Sequence, residues 1–348
     1  MAVTRLDIDA FLEAADLFPV LDVRSPGEYS HAHISGAFNL PLFTDEERKI
    51  IGTAYKQESK EAAIKIGLDA FGPNMRRMVE IVEGICKEKK SRKVLVHCWR
   101  GGMRSNAVAW LLDLYGFEVC LLDGGYKMYR QWVIAHWHRP LPYRILGGYT
   151  GAGKTGVLHA LQKSGEPVLD LEGIAKHKGS AFGGLEREPQ PTQEMFENLI
   201  AAKIHQLSQQ HPTKPIWVED ESQRIGDVNI PHELFHHFYA AQMVFLDIAF
   251  EARLDHIVAE YSRHSTERIL NGIVRIKKRL GGLETKTAVN HLLEGNLKEC
   301  FRQLLFYYDK HYRKALENRP PSLHETITIS RSSIDPKAIA ATLINTTS

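Results

Sequence analysis

Apolar and polar positions along the chain fall into blocks that switch between two periods. Short apolar runs bounded by turn residues read as buried strands: Phe18–Val23, Ala37–Leu42, Val94–Val96 and Val119–Leu122. Between them, Met75–Lys87 puts Met75, Met78, Val79, Val82 and Ile85–Cys86 on one helical face, and Ser105–Tyr115 is an apolar helix stopped by Gly116. This rhythm predicts a parallel sheet flanked by helices. Trp132–Pro142 holds two prolines and reads as a linker. The rhythm then restarts. Tyr143–Gly147, Pro167–Leu171, Pro215–Val218, Met243–Ile248 and Thr326–Ser330 read as strands, with Lys154–Lys163 and Pro191–Leu207 as helices. From about Glu251 to Leu280, and from Thr287 to Leu316, the pattern is helical and rich in charge. The expectation is two α/β domains, residues 1–138 and 139–348, the second with a helical portion over about 251–316.

Composition narrows the class. With 348 residues, 43% of them hydrophobic and 25% charged, the chain is neither disordered, nor collagen-like, nor a disulfide scaffold. Cys86, Cys98, Cys120 and Cys300 are widely spaced and form no CxxC pair, which argues against a zinc site and for a reducing, cytoplasmic setting. No apolar run of about 18 residues suggests a membrane span. The first turns carry acids and lack an apolar h-region, so no secretion signal is expected. The formal charge of +2 speaks against a nucleic-acid partner, but a net charge can hide a local excess.

The densest chemistry of the first half is Val94–Ser105, VLVHCWRGGMRS. A strand delivers Cys98 to its carboxyl end, where ligands of open α/β sheets bind. Gly101 and Gly102 let backbone N–H groups turn into the loop, and with the following helix N-terminus they form an anion cradle. The same field favours thiolate, and Arg100 and Arg104 add charge-assisted hydrogen bonds. Such a loop lets Cys98 either attack phosphorus or accept a chalcogen atom. The alternative, a small hydrophobe at a strand end, is disfavoured for Cys98 by its glycines and arginines but fits Cys86, Cys120 and Cys300. His97 reads as a packing residue.

The second half opens on YRILGGYTGAGKTGVL, where Gly148-x4-Gly153-Lys154-Thr155 is a complete phosphate-loop pattern between a predicted strand and a predicted helix. Backbone N–H groups from about Gly151 to Thr155 would wrap a diphosphate, Lys154 would reach the outer phosphate, and the Thr155 hydroxyl would ligate Mg²⁺. A carboxylate partner is expected at another strand end. Glu219 and Asp220 both qualify, and spacing does not choose between them; Thr155 with Asp220 is the pair expected to hold the ion. Asp170 is a further strand-end acid. The pattern binds a diphosphate without establishing nucleotide hydrolysis.

DVRSPGEYSHAHISGAFNLP resembles the rhodanese family, in which the Asp-x-Arg, here Asp22 and Arg24, supports the active-site loop and the stretch His33–Asn39 is a hallmark. Sulfur-transferring rhodaneses usually have Cys-x4-Arg; the longer Cys-x5-Arg here suits a tetrahedral phosphate or selenophosphate. Joined to the phosphate loop, and with LDGGYKMYR, Leu169–Gly183, Pro189–Asn198 and Val218–Gly226, the chain resembles the tRNA 2-selenouridine synthase family over nearly its whole length. Ser-Gln-Arg after Glu221, where Ser-Arg-Arg is expected, is a small departure. The resemblance implies a rhodanese-like domain followed by a P-loop NTPase-like parallel α/β domain. It also implies exchange of the sulfur of wobble 2-thiouridine in tRNA for selenium from selenophosphate, through an S-geranyl intermediate made from geranyl diphosphate. Cys98 would then be the selenium-handling nucleophile, and the phosphate loop, with Mg²⁺, would grip geranyl diphosphate. A selenophosphate supplier is a candidate partner.

A tRNA needs a basic surface. Residues 261–314 hold twelve Lys and Arg against five acids, a net +7, with Tyr307, Tyr308 and Tyr312 interleaved. Arg275, Lys277, Lys278, Arg279, Lys310 and Arg313 are the expected contacts. Gly179–Gly183 reads as a substrate loop. Gln193, Phe196 and Glu197 either line a pocket or belong to an ordinary capped helix with a buried Phe. Two other readings stand beside this one. A Cys-dependent phosphatase or sulfurtransferase fused to a nucleotide kinase would need a general acid and lid arginines that the sequence does not signal. A binding protein with an inert first domain is opposed by the intact Cys98.

Overall fold

A computed structural model describes residues 3–177, 189–317 and 326–347. The Gly179–Gly183 stretch lies outside them. The chain divides into two compact units, residues 1–136 and 137–348.

The first unit is built on five parallel strands, β1 (Thr4–Leu6), β2 (Val20–Asp22), β3 (Phe38–Asn39), β4 (Lys93–His97) and β5 (Glu118–Leu122), in the order β1-β5-β4-β2-β3. β4 is central and apolar, with Val94–His97 all buried, as a strand covered on both faces must be. The core joins Leu21, Val94 and Val96 to Val82 and Cys86 of one helix and Val108 and Leu112 of another.

Two sequence expectations change. The helix read from Met75 starts at Lys60 and runs to Lys89 through Pro73. Its buried positions Gly67, Phe71, Met78, Val82 and Cys86 keep helical spacing across the proline, so packing outweighs the lost N–H, and Asn74 Nδ2 donates to the Ala70 carbonyl in the same turn (3.0 Å). The stretch read as a linker from Trp132 is still helix as far as His136, because Tyr126, Tyr129, Trp132, Val133 and His136 form one buried stripe and the prolines come only afterwards.

In the second unit a parallel sheet contains β6 (Tyr143–Gly148), β7 (Val168–Leu169), β8 (Ile216–Glu219), β11 (Gln242–Ile248) and β12 (Ile327–Arg331) in the order β12-β11-β6-β8-β7. β9 (Arg224–Ile225) and β10 (Val228–Asn229) form a separate antiparallel hairpin. β6 lies where the strand order reverses, so its carboxyl end faces a crevice of the kind that holds ligands in open sheets. Helices Lys154–Lys163 and Pro336–Thr347 complete this core through Val157, Leu161, Ile339 and Leu343. The charge-rich stretch is four helices, Phe250–Tyr261, Thr266–Leu280, Gly282–Leu293 and Leu297–Glu317, inserted between β11 and β12 around their own core of Ile269, Ile273, Ala288 and Leu304. Among the described residues no helix is long and apolar enough to cross a membrane.

Candidate functional sites

β4 ends at His97, and the helix after it begins at Met103. Cys98 is therefore the first residue of a five-residue loop at the carboxyl end of the central strand. Its Sγ lies 3.2 Å from Ser105 Oγ, in the first turn of that helix. Burial works against the thiolate. The Ser105 hydroxyl and the backbone N–H groups of Arg100, Ser105 and Gly102 outweigh it and hold the thiol below its ordinary value. The other cysteines lack such donors, and burial pushes each of them up, Cys300 to about 12.

The loop is braced from below by the Asp123–Tyr126 turn. The N–H groups of Tyr126 and Lys127 donate to the carbonyls of Cys98 and Trp99 at 2.8 and 2.9 Å. Gly125 has φ +61, and a Cβ there would stand 2.5 Å from both the Cys98 carbonyl oxygen and the Gly101 nitrogen. Gly101, at φ +64, meets the Leu122 carbonyl in the same way. Two glycine backbones thus touch where no side chain fits.

Asp22 and Arg24 are buried. Arg24 Nη2 donates to Asp22 Oδ2 (2.6 Å) and to the Ala32 carbonyl (2.7 Å), while its guanidinium covers the Tyr126 ring at 3.8 Å. Burial opposes ionisation of Asp22, but His97 and Arg24 overcome it and hold its carboxyl below the usual range. Burial also lowers the His97 value, so the lasting positive charge is that of Arg24. Asn39 Nδ2 donates to the carbonyls of Asp22 and Arg24, both at 3.1 Å. The pair supports the loop through the ring and backbone of Tyr126, without touching sulfur. Arg100 and Trp99 are exposed at the loop surface. Arg104 forms an ion pair with Glu28, Nη1 to Oε2 at 2.7 Å, which the sequence reading did not foresee because Glu28 is far away along the chain.

In the second unit β6 runs into the phosphate loop, with Gly148, Gly151 and Gly153 all at positive φ. A Cβ at Gly151 would meet Ile257 at 2.7 Å, and one at Gly153 would meet Ile334 at 2.7 Å. Lys154 Nζ donates to the Gly148 carbonyl (2.9 Å) and lies 3.6 Å from Glu219 Oε1. The Thr155 hydroxyl donates to Glu219 Oε2 (3.1 Å). The geometry thus separates the two candidate acids. Glu219 stands against Lys154 and Thr155, whereas Asp220 Oδ2 accepts from the Tyr312 hydroxyl (2.6 Å), so Asp220 is not the acid beside Thr155. Tyr312 also accepts from the Gly148 N–H (3.2 Å), which makes it a brace of the loop and not an open stacking surface.

Oxygens of Glu172, Glu219 and Glu221 lie within 4.8 Å of one another. Burial pushes Glu219 up, against the pull of Lys154 and Thr155. It pushes Glu221 up further, with the charges of Glu219 and Glu172 added to it. A crowded, partly buried set of carboxylates beside a threonine hydroxyl suits a hard divalent cation. Asp170 instead caps helix Leu171–Ala175, accepting from Gly173 N (2.8 Å), and sits 3.5 Å from His159.

Phe196 is fully buried, and Gln193 is spent on Asn229 and Glu197, so this segment is a capped helix that clamps the β9–β10 hairpin. Arg253, unnoticed in the sequence, is buried and grips Asp309 with two nitrogens (2.9 and 2.7 Å) and the Thr150 carbonyl (3.0 Å), which ties the helical insertion to the phosphate loop. Arg275, Lys277, Lys278 and Arg279 are exposed on helix Thr266–Leu280, opposite the buried Ile269, Ile273, Ile276 and Leu280. Lys310 and Arg313 are exposed on helix Leu297–Glu317, where Arg313 bonds to Tyr149. Lys298 and Arg302 of the same basic window are engaged by Asp255 and by Glu251 with Glu299. The positive surface is therefore smaller than the charge count suggests.

Residues 141–328 match the family model described as the tRNA 2-selenouridine synthase AAA domain, and residues 6–131 match the rhodanese-like domain. The chain is similar to the tRNA 2-selenouridine synthase of Nitrosomonas europaea, at 39% identity over 70% of this chain and 63% of that protein. It is also similar to those of Hydrogenovibrio crunogenus, at 37% over 76% of each chain, and Bdellovibrio bacteriovorus, at 33% over 86% of this chain and 89% of the relative. The match thus spans under two thirds of the length of the Nitrosomonas relative and most of the Bdellovibrio one.

Proposed function

The chain belongs to the tRNA 2-selenouridine synthase family, and from that premise we propose that it converts wobble 2-thiouridine in tRNA to 2-selenouridine, using selenophosphate and passing through an S-geranyl intermediate. The observation that carries the reading is the coexistence, in one chain, of two differently equipped anion loops: one holds a thiol kept toward thiolate, the other a lysine and a threonine for a diphosphate.

In the first step the thiocarbonyl sulfur attacks the first carbon of geranyl diphosphate. A carbon–sulfur bond forms, the carbon–oxygen bond breaks, and pyrophosphate leaves with the electron pair. Backbone N–H groups of Gly151–Thr155 hold the diphosphate, and Lys154 neutralises the charge that develops on it. A divalent cation bound by Thr155 and Glu219, with Glu172 and Glu221 close by, would supply further charge neutralisation there.

The second step belongs to the cysteine loop. The loop between Cys98 and the helix N-terminus at Met103 receives the phosphoryl oxygens of selenophosphate. Cys98 thiolate displaces selenide from phosphorus: a sulfur–phosphorus bond forms, the selenium–phosphorus bond breaks, and the electron pair departs on selenium. Phosphorus stays at the same oxidation level, so no redox partner is needed. Selenide then attacks C2 of the modified base and expels geranyl thiol, a better leaving group than a thiocarbonyl sulfur. Water returns Cys98 by releasing phosphate.

The test is mass spectrometry of nucleosides from thiolated tRNA incubated with the protein, geranyl diphosphate and selenophosphate. Selenouridine and its geranylated precursor are expected. Unchanged 2-thiouridine overturns the proposal.

A further inference from the structure

A cavity of about 840 Å³ opens beside the phosphate loop. Its walls include Tyr149 of that loop, Ile248 at the carboxyl end of β11, Phe250, and Phe306 and Lys310 of helix Leu297–Glu317. We infer that this groove seats an unpaired nucleotide of the RNA substrate, its base stacked on Phe306 and its phosphate held by Lys310. The inference rests on the tRNA reading above and adds to it the surface that receives the reacting strand.

Phe306 is 57% exposed. It does not stand alone: its ring stacks on Phe250, centroids 4.8 Å apart and planes 21° from parallel. Phe250 is fixed in turn by the guanidinium groups of Arg253 at 5.3 Å and Arg302 at 5.7 Å. The result is a rigid aromatic platform with one face toward solvent, the form that sequence-tolerant base stacking takes. Lys310 lies one helical turn beyond Phe306, on the same face, at about the reach of a nucleotide's own phosphate.

The charges of the lining favour an anionic strand over an alkyl chain. Arg253, Lys310, Arg313 and Lys314 face Asp247, Asp309 and Glu317 in the lining, a net charge of +1, and Asp309 is matched by its two bonds to Arg253. Lys310 and Arg313 remain exposed at the mouth. An isoprenoid chain prefers closed apolar walls, and this groove is open and rimmed by charge. Because Tyr149 belongs both to the groove and to the phosphate loop, a base seated here is a neighbour of the diphosphate, as transfer onto its sulfur requires.

Fluorescence anisotropy with the full chain tests this, using a labelled RNA hairpin with an unpaired loop and the same stem as a blunt duplex. The Phe306→Ala variant should bind the hairpin about tenfold more weakly or worse, with duplex affinity and salt dependence unchanged. Lys310→Ala should weaken both RNAs and reduce the salt slope by about one. Calorimetry with inorganic pyrophosphate should give wild-type affinity for Phe306→Ala, showing that the fold and the phosphate loop stand. A Phe306→Ala variant that binds the hairpin like wild type, or loses hairpin and duplex equally, overturns the inference. So does one that keeps RNA affinity and loses affinity for geranyl diphosphate over pyrophosphate, which would give the groove to the alkyl chain. A wild-type protein that binds neither RNA overturns the tRNA reading itself, a result distinct from the others.

Discussion

The two glycine-rich loops start alike and end differently. Each follows an interior parallel strand, each opens a helix, and each brings backbone N–H groups to the carboxyl edge of its sheet. In the first, the surroundings are arranged around a thiol. Ser105 and three N–H groups face sulfur, and the nearest buried cation, Arg24, is already matched by Asp22. In the second, the loop holds no nucleophile; it is flanked by Lys154 and Thr155, with Glu219, Glu221 and Glu172 close together beyond them. An amide cradle alone therefore says only that an anion is bound. In the proposed function, what stands next to it decides whether the anion is attacked or merely held until it leaves.

The sharpest way to break this comparison is Cys98→Ser. Selenouridine formation should fall about 10⁴-fold or more, with geranylated tRNA still made, as read by nucleoside mass spectrometry; loss of both products in a folded variant would sink the division of labour. Next comes Asp22→Asn, which strands Arg24 as a buried unpaired charge and should destabilise the first unit by about 3–5 kcal/mol, visible as a fall in its thermal transition. Because the Asp22 value is depressed in the folded state, its contribution is present above the ordinary carboxylate range and is lost as pH falls through the folded value; Asp22→Asn should flatten that acid limb. Lys154→Ala should lower geranyl transfer by about 10²–10³-fold while leaving Cys98 reactivity untouched; a parallel loss of alkylation at Cys98 would argue against separate roles. The smallest effect belongs to Ser105→Ala. Wild-type Cys98 should alkylate with iodoacetamide at a rate that rises with pH and levels off below the range of an ordinary thiol. Removing the hydroxyl should move that plateau upward and slow labelling at neutral pH by about tenfold, and an unchanged profile would remove Ser105 from the account.

Much of this was legible in the sequence. Apolar runs located the strands that carry both loops, and the spacing around Cys98 and Lys154 described the loops themselves. Short-range signals sufficed there because a strand, a glycine turn and a helix start are local objects. What stayed hidden depends on residues that meet only in the fold. Glu28 reaches Arg104 across 76 positions, and Tyr312 takes Asp220 across 92, which leaves Glu219 for Thr155. Spacing could not separate two adjacent acids because neighbours on a strand point to opposite faces, and the sequence does not say which face holds the loop. The helix read from Met75 begins earlier and runs through Pro73, where the apolar stripe that offsets the missing N–H becomes decisive only once it is packed.

The edge strand β12 pairs in parallel with β11 only after the chain has passed through the four inserted helices. Those helices make contacts that are short in sequence, and such contacts form quickly; the β11–β12 pairing must close a long loop first, which is slow. On a ribosome, the second sheet therefore keeps an open edge at β11 until β12 emerges. Truncation between Glu317 and Ile327 should leave that edge exposed while the helical insertion is already folded, so loss of β12 would be felt first as aggregation through the sheet.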